Sequence, residues 1–298
     1  MIILDKVSKS FETELFKAKK KVLNQISLEI KKGSITGFLG ANGAGKSTII
    51  KLIMGFIKAD EGKLHFNKEL GITNKSIYSK IGFLPERPFF YPHLTGREFL
   101  QYLGGLNDLS SSVLREKIDL FSSRLSLKNH LDKKVHNYSK GMLQRLGIIS
   151  CLIHDPMLLI LDEPLSGMDP PGRKEIKEIL LECHENGKTI FFSSHILSDV
   201  EEICDRVIVL DAGNLKFQGY KTELLPIKNT FIIKLWGKME NIKPNLILEI
   251  KNKGGNTELE VSEENLQEFL ANVSITGSKI QSIKRKNSTM DEIIFGIS

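Results

Sequence analysis

Gly40-Ala41-Asn42-Gly43-Ala44-Gly45-Lys46-Ser47-Thr48 fits the spacing G-x-x-x-x-G-K-[ST]. Glycines at these positions let the backbone curl until successive N–H groups face inward, the arrangement that phosphate oxygens need. Lys46 brings a point charge to β- and γ-phosphates, and the Ser47 hydroxyl is placed to hold Mg²⁺. A helix starting at Lys46 turns its positive N-terminus on the same anion. A plain glycine turn with a surface lysine needs neither the strand that precedes this run nor the helix that follows.

A second run supplies the acids. Met157-Leu158-Leu159-Ile160-Leu161 is continuously apolar, as a parallel strand covered on both faces must be, and it ends in Asp162-Glu163-Pro164. Asp162 can complete a Mg²⁺ shell. Glu163, one residue on, can polarise an attacking water as general base.

The elements that must position these residues alternate. Strands are expected at Ile2 to Leu4, Val22 to Ile30 and Ile35 to Leu39, then a helix over Lys46 to Phe56. Residues 87–150 read as helical segments with polar breaks. From Met157 the order is strand, helix (Arg173 to Asn186), strand (Thr189 to Ser193), helix (Ile196 to Cys204), strand (Val207 to Leu210). Alternation of this kind implies a mostly parallel sheet with helices on its faces. Past Gly219 the composition shifts to β-rich pieces (Phe231 to Trp236, Leu259 to Val261, Lys279 to Ile283). Helix starts are expected at Ser262 and at Ser288, so residues 223–298 read as a small α+β accessory domain beside a domain over 1–222.

Composition narrows the classes. The 298 residues are 41% hydrophobic and 26% charged, a globular balance that can bury a core without disulfides. No segment reaches the roughly 20 apolar residues of a membrane span, and the start lacks the basic, then apolar pattern of a secretory signal. The three cysteines, Cys151, Cys183 and Cys204, have no CxxC spacing, which points to a reducing compartment rather than a disulfide framework or zinc site. The net charge of +6 is compatible with nucleic acid, phosphate ligands or an anionic surface. Its densest cluster, Lys17, Lys19, Lys20 and Lys21, reads as a solvated hairpin tip.

Tyr138-Ser139-Lys140-Gly141-Met142, lying before the Asp162-Glu163 strand, resembles the Leu-Ser-Gly-Gly-Gln signature of the ATP-binding-cassette (ABC) ATPases, and the resemblance covers about residues 1–220. It implies an α/β P-loop NTPase cassette with a mostly parallel sheet and an inserted helical subdomain at about 87–150. It also implies ATP hydrolysis with Mg²⁺. Gly40, Asn42, Gly43, Ala44, Gly45, Lys46, Ser47 and Thr48 would hold the nucleotide. Ser139 and the backbone at Gly141 would donate to a γ-phosphate held by a second subunit. Glu86 sits where the family has a glutamine near the metal, which it would share with Ser47 and Asp162; an ionised carboxylate there donates no hydrogen bond. Asp169, in Ser166-Gly167-Met168-Asp169, resembles the residue that couples two sites of a dimer. His195, closing the strand Phe191 to Ser194, resembles the switch histidine, a catalytic role in which the imidazole would bond the γ-phosphate and sense its loss. Phe11 matches the aromatic that stacks on adenine, with Phe16 as a substitute. Lys140 and Met142 depart from the signature's Gly and Gln; Lys140 either attracts phosphate or faces solvent.

The run Leu84-Pro85-Glu86, the signature, Ile280-Gln-Ser-Ile283 and Ser288 to Phe295 further resemble the ATPase subunits of ABC-2-type exporters. The expectation is therefore a cytoplasmic subunit, peripheral on the membrane, pairing as homodimer or cassette heterodimer and driving a separate transmembrane permease. Arg87 to Leu103, with Pro88, Phe89, Phe90 and Tyr91, is the expected contact. No direct nucleic-acid partner is expected. The alternative is a soluble cassette ATPase acting on nucleic acid or the ribosome. A small-molecule phosphotransferase would need neither the signature nor His195.

Overall fold

The computed structural model describes the chain apart from residues 13–18, 225–226, 237–242, 254–255, 277–278 and 288–298. Phe16, Lys17 and the Ser288 to Phe295 run lie outside the described residues. The chain divides into two compact units, Met1–Lys221 and Thr222–Ser298.

In the first unit, β1 (Ile2–Glu12), β2 (Lys19–Ile30) and β4 (Glu61–Phe66) form an antiparallel sheet in the order β2-β1-β4. The second sheet grows from runs too continuously apolar to keep a wet face. β3 (Ile35–Leu39), β6 (Leu158–Asp162) and β7 (Thr189–Ser194) are buried along their whole length. With β5 (Ile81–Leu84), β8 (Arg206–Asp211) and β9 (Asn214–Tyr220), they run in the order β5-β6-β7-β3-β8-β9. Burying each Leu or Ile stabilises by roughly 1.5–3 kcal/mol, so a charge placed at Leu159 or Ile160 would break the layer. All neighbours are parallel except β9, which returns antiparallel from β8. Parallel strands bring their carboxyl ends to one edge, where ligands of such sheets bind. Gly40, Glu86, Asp162 and His195 follow or close β3, β5, β6 and β7 there.

Helices cover the sheet. α1 (Lys46–Ile53) buries Ile49, Ile50, Leu52 and Ile53 against it and stops short of Phe56, because Gly55 turns left-handed at φ +69°. α2 (Asn74–Tyr78) is a short turn. Between β5 and β6 lie α3 (Gly96–Leu106), α4 (Ser111–Arg124) and α5 (Lys140–Leu152), the inserted helical region. Thr95 and Glu98 start α3 with a reciprocal capping box. α6 (Pro170–Glu185) begins at an Asp169 cap with proline in its first turn, and α7 (Leu197–Ile203) follows β7 directly. Strands β4 and β9 were not legible as such: Gly62, Lys63 and the polar face of β9 break the hydrophobic pattern.

The second unit is a four-stranded antiparallel sheet in the order β11-β12-β10-β13. Its strands are β10 (Ile227–Trp236), β11 (Glu249–Lys253), β12 (Asn256–Ser262) and β13 (Lys279–Asn287). The helix Leu266–Thr276 packs Phe269 and Val273 onto Ile233, Leu235, Leu259 and Val261. The helix expected from Ser262 begins at Leu266 instead. Ser262 ends β12, and its hydroxyl accepts the Asn265 N–H at 3.3 Å, capping an intervening turn. Among the described residues no helix is long and apolar enough to cross a membrane. The three cysteines are buried and unpaired; burial pushes the Cys151 thiol up to about 12 and Cys183 to about 11.

Candidate functional site

The loop after β3 is shaped by backbone freedom and lack of room. Gly43 and Gly45 have φ of +83° and +108°, and Gly45 caps α1 from the left-handed region. A Cβ on Gly40 would come within 2.4 Å of the Leu210 carbonyl oxygen. Lys46 is nearly buried, and its Nζ donates to the Gly40 carbonyl at 2.5 Å. Burial lowers its pKa, opposed by the charges of Glu163, Asp162 and Glu86. Those three acids line the same cavity as the ammonium.

Across the crevice, Asp162 ends the buried strand β6 opposite Ser193 of β7. The Ser193 hydroxyl donates to Asp162 Oδ1 at 2.5 Å and accepts the Glu163 N–H at 2.9 Å. Glu163 itself sits at φ +53°, a conformation that costs a non-glycine residue about 1–3 kcal/mol and persists where the surroundings fix it. Its Oε2 lies 2.8 Å from His195 Nδ1. With Glu163 ionised, that nitrogen carries the proton and donates. Burial raises the Glu163 pKa, while His195 and Lys46 pull it down. A carboxylate so held is a base of more than ordinary strength.

These residues line one cavity of about 650 Å³, within the range of ligand sites. Of the expected site residues, Phe11, Asn42, Gly43, Gly45, Lys46, Ser47, Thr48, Glu86, Asp162, Glu163 and His195 all line it. Gly40 and Ala44 shape the loop behind. Phe11 is 40% exposed on β1, with Lys9 Nζ 5.6 Å from its ring centroid. Lys51 and Ser166 also line the cavity and were not anticipated. Lys51 was findable, standing one helical turn beyond Ser47.

Ser139, Gly141 and Asp169 do not line this cavity. Ser139 caps α5, accepting the Met142 N–H at 3.3 Å, and Asp169 caps α6, accepting the Gly172 N–H at 3.3 Å. They meet each other's segments instead. Met168 Sδ lies 3.7 Å from where a Gly141 Cβ would stand, and Lys140 lies over Gly167, whose Cβ would come within 2.5 Å of Lys140 Cε.

The donor set tests which metal the cavity fits. Ser47, Asp162 and Glu86 present hard oxygens, suited to Mg²⁺. Among the described residues no three or more His, Cys, Asp or Glu are grouped to hold an ion by themselves.

The chain as a whole is similar to known proteins. The family model described as ABC transporter matches residues 23–166. An ABC transporter ATP-binding protein of Nostoc sp. is 40% identical over 279 residues, covering 91% of this chain and 81% of its own. The bacitracin transport ATP-binding protein of Enterococcus faecalis is 42% identical over 197 residues, 65% of this chain and 63% of its own. The solved dimer of the ATP-binding cassette MJ0796 with ADP and Pi superposes with a TM-score of 0.67 at 22% identity, covering 74% of this chain and 98% of that one.

Proposed function

We propose that this chain, which belongs to the ABC transporter ATP-binding proteins and is an ATPase, hydrolyses ATP between two copies of itself or between itself and a similar cassette, and so drives a separate membrane permease. The observation that carries this reading is the division of the parts. The phosphate loop, Asp162, Glu163 and His195 share one cavity, while Ser139 and Gly141 stand outside it on a helix N-terminus. A helix start with free N–H groups is an anion site that lacks its anion until another surface supplies one.

In this reading the loop 40–48 cradles the phosphates, Lys46 exchanging its bond to the Gly40 carbonyl for one to phosphate oxygen. Phe11 stacks on the base. Ser47, Asp162 and Glu86 would hold Mg²⁺, which when bound neutralises charge on the phosphates and orients them. Glu163 takes a proton from the attacking water, and His195 steadies the carboxylate and reaches toward the γ-phosphate. Ser139 and the Gly141 N–H close on that phosphate from the partner. Loss of the bond between γ-phosphate and partner reopens the pair, a population shift driven by differential binding. Asp169 supports coupling by fixing the start of α6 beside α5.

The face for the permease is the groove of about 310 Å³ lined by Pro88, Phe89, Phe90, Pro92, His136 and Tyr138. Phe89 is 79% exposed there, whereas Phe90 is buried against Phe99 with ring centroids 5.1 Å apart. An exposed aromatic on a rigid base is suited to anchor a partner. Export as the direction is supported by the resemblance of Ile280 to Ile283 and the tail after it to the ATPase subunits of ABC-2-type exporters. The test is affinity capture of the tagged chain from detergent-solubilised cells. Co-purification of a multi-span membrane protein is expected, weakened by Phe89→Ala; recovery with ribosomes or DNA instead would replace this reading by the soluble-ATPase one.

A further inference from the structure

We propose that Gln144 is a positioning residue that ties the partner-facing end of α5 to the general base of its own chain, so that nucleotide seated against Ser139 and Gly141 sets the geometry of Glu163. The inference rests on the two-copy reading above and adds to it a route of communication between the two sites.

Gln144 lies in the second turn of α5 with 6% of its surface exposed. Its Nε2 donates to the Pro164 carbonyl at 2.7 Å and approaches the Glu163 carbonyl at 3.4 Å. On the other side of the same residue, the Glu163 N–H is held by Ser193 Oγ. The left-handed Glu163 is therefore gripped at both its N–H and its C=O. A residue in that region stays there only where its neighbours over-determine it: Ser193 holds the N–H, the Ser166 N–H donates to the C=O at 3.1 Å, and Gln144 fixes the next carbonyl, that of Pro164. The direction of the carboxylate toward His195 follows from that backbone.

The helix makes Gln144 a lever. α5 is a rigid element of 13 residues whose first turn carries Ser139, Lys140 and Gly141. It sits tightly on β5, since a Cβ on Gly147 would come within 2.6 Å of Leu84 Cδ1. Lys140 presses over Gly167, four residues after the base. A displacement of the first turn by a bound phosphate reaches Gln144 about one turn away along a continuous hydrogen-bonded rod. Buried carbonyls left without a donor are costly, so the Pro164–Leu165 peptide, whose carbonyl Gln144 holds at 2.7 Å, follows the Gln144 amide rather than parting from it and carries the adjoining Glu163 with it. A residue serving only to fill the core would be as well replaced by Leu or Met.

The test uses the full-length protein with Gln144→Leu and, as a second variant of matching length and flexibility, Gln144→Met. ATP affinity is read with a fluorescent analogue, and the hydrolysis rate is read against ATP concentration. The expected result is a fall in kcat of about 10²-fold, the scale of a misplaced reacting group, with ATP affinity within about twofold because the cradle is untouched. The Hill coefficient should fall toward one from a value approaching two, the number of sites. Wild-type kcat and Hill coefficient in either folded variant would overturn the link, as would loss of affinity and kcat in equal proportion. The Glu163→Gln chain with Mg-ATP serves as the companion arm. If it stays single, the two-copy reading fails and takes this inference with it; if it pairs while the Gln144 variants turn over normally, only the Gln144 link fails.

Discussion

The cavity at the sheet edge and the face around the first turn of α5 use the same kinds of residue, yet they differ in closure. In the cavity, Gly43, Gly45, Lys46 and Ser47 face Asp162, Glu163 and His195 across about 650 Å³. Around α5, Ser139 and Gly141 present hydroxyl and N–H groups on a helix start, and their own chain adds Lys140 and Met168 beside them but no part of that cavity. The difference lies in strand order. Parallel neighbours β5, β6, β7 and β3 deliver their carboxyl ends to one edge, whereas α5 enters from the inserted helices. In the function proposed above, one region is a nucleotide site and the other is the lid of a second.

Glu163→Gln should break the cavity's chemistry most. Turnover should fall by about 10²–10⁴, the usual scale for a lost general base, with ATP binding retained; steady-state hydrolysis beside an affinity measurement decides it, and wild-type turnover would remove Glu163 from the role. Lys46→Ala comes next. Loss of a charge-assisted bond to phosphate, worth about 1.5–3 kcal/mol, should weaken ATP affinity by about 10–100-fold in titration calorimetry. Unchanged affinity would contradict the cradle. Phe11→Ala should cost about 1 kcal/mol of base stacking, roughly fivefold in KM with kcat unaltered.

The pH dependence sharpens the comparison with the least perturbation. Burial raises the Glu163 pKa, and a general base works only when deprotonated, so kcat should fall as pH drops through that raised value. His195 holds the pKa down, so in His195→Ala the acid limb of the kcat profile should move to higher pH. A limb that stays in place would separate the histidine from the base.

Much of the cavity was legible because its parts are contiguous in sequence. The glycine loop, its lysine and the acid pair at the end of an apolar run each announce their chemistry within nine residues. What joins them was not legible. Ser193 touches Asp162 because β7 pairs with β6 in that register, and nothing in Ser193-Ser194 states which strand is its neighbour. Gln144 reads as one polar residue on a helix until the fold places Pro164 against it. The resemblance to a family supplied His195, Phe11 and Glu86 in advance; periodicity and spacing would not have. In the second unit, β11 has too few apolar residues to announce itself, and Ser262 shows that a capping pattern can close a turn before a helix begins.

The central claim is that ATP is held between two chains, each giving its cavity to one nucleotide and its α5 face to the other. Sedimentation of the full-length Glu163→Gln protein with Mg-ATP tests it most directly. The account predicts a doubled mass with ATP, a single-chain mass with ADP, and loss of the doubled species when Ser139→Ala and Gly141→Asp are added. A chain that binds ATP at its cavity yet keeps the single-chain mass would contradict it.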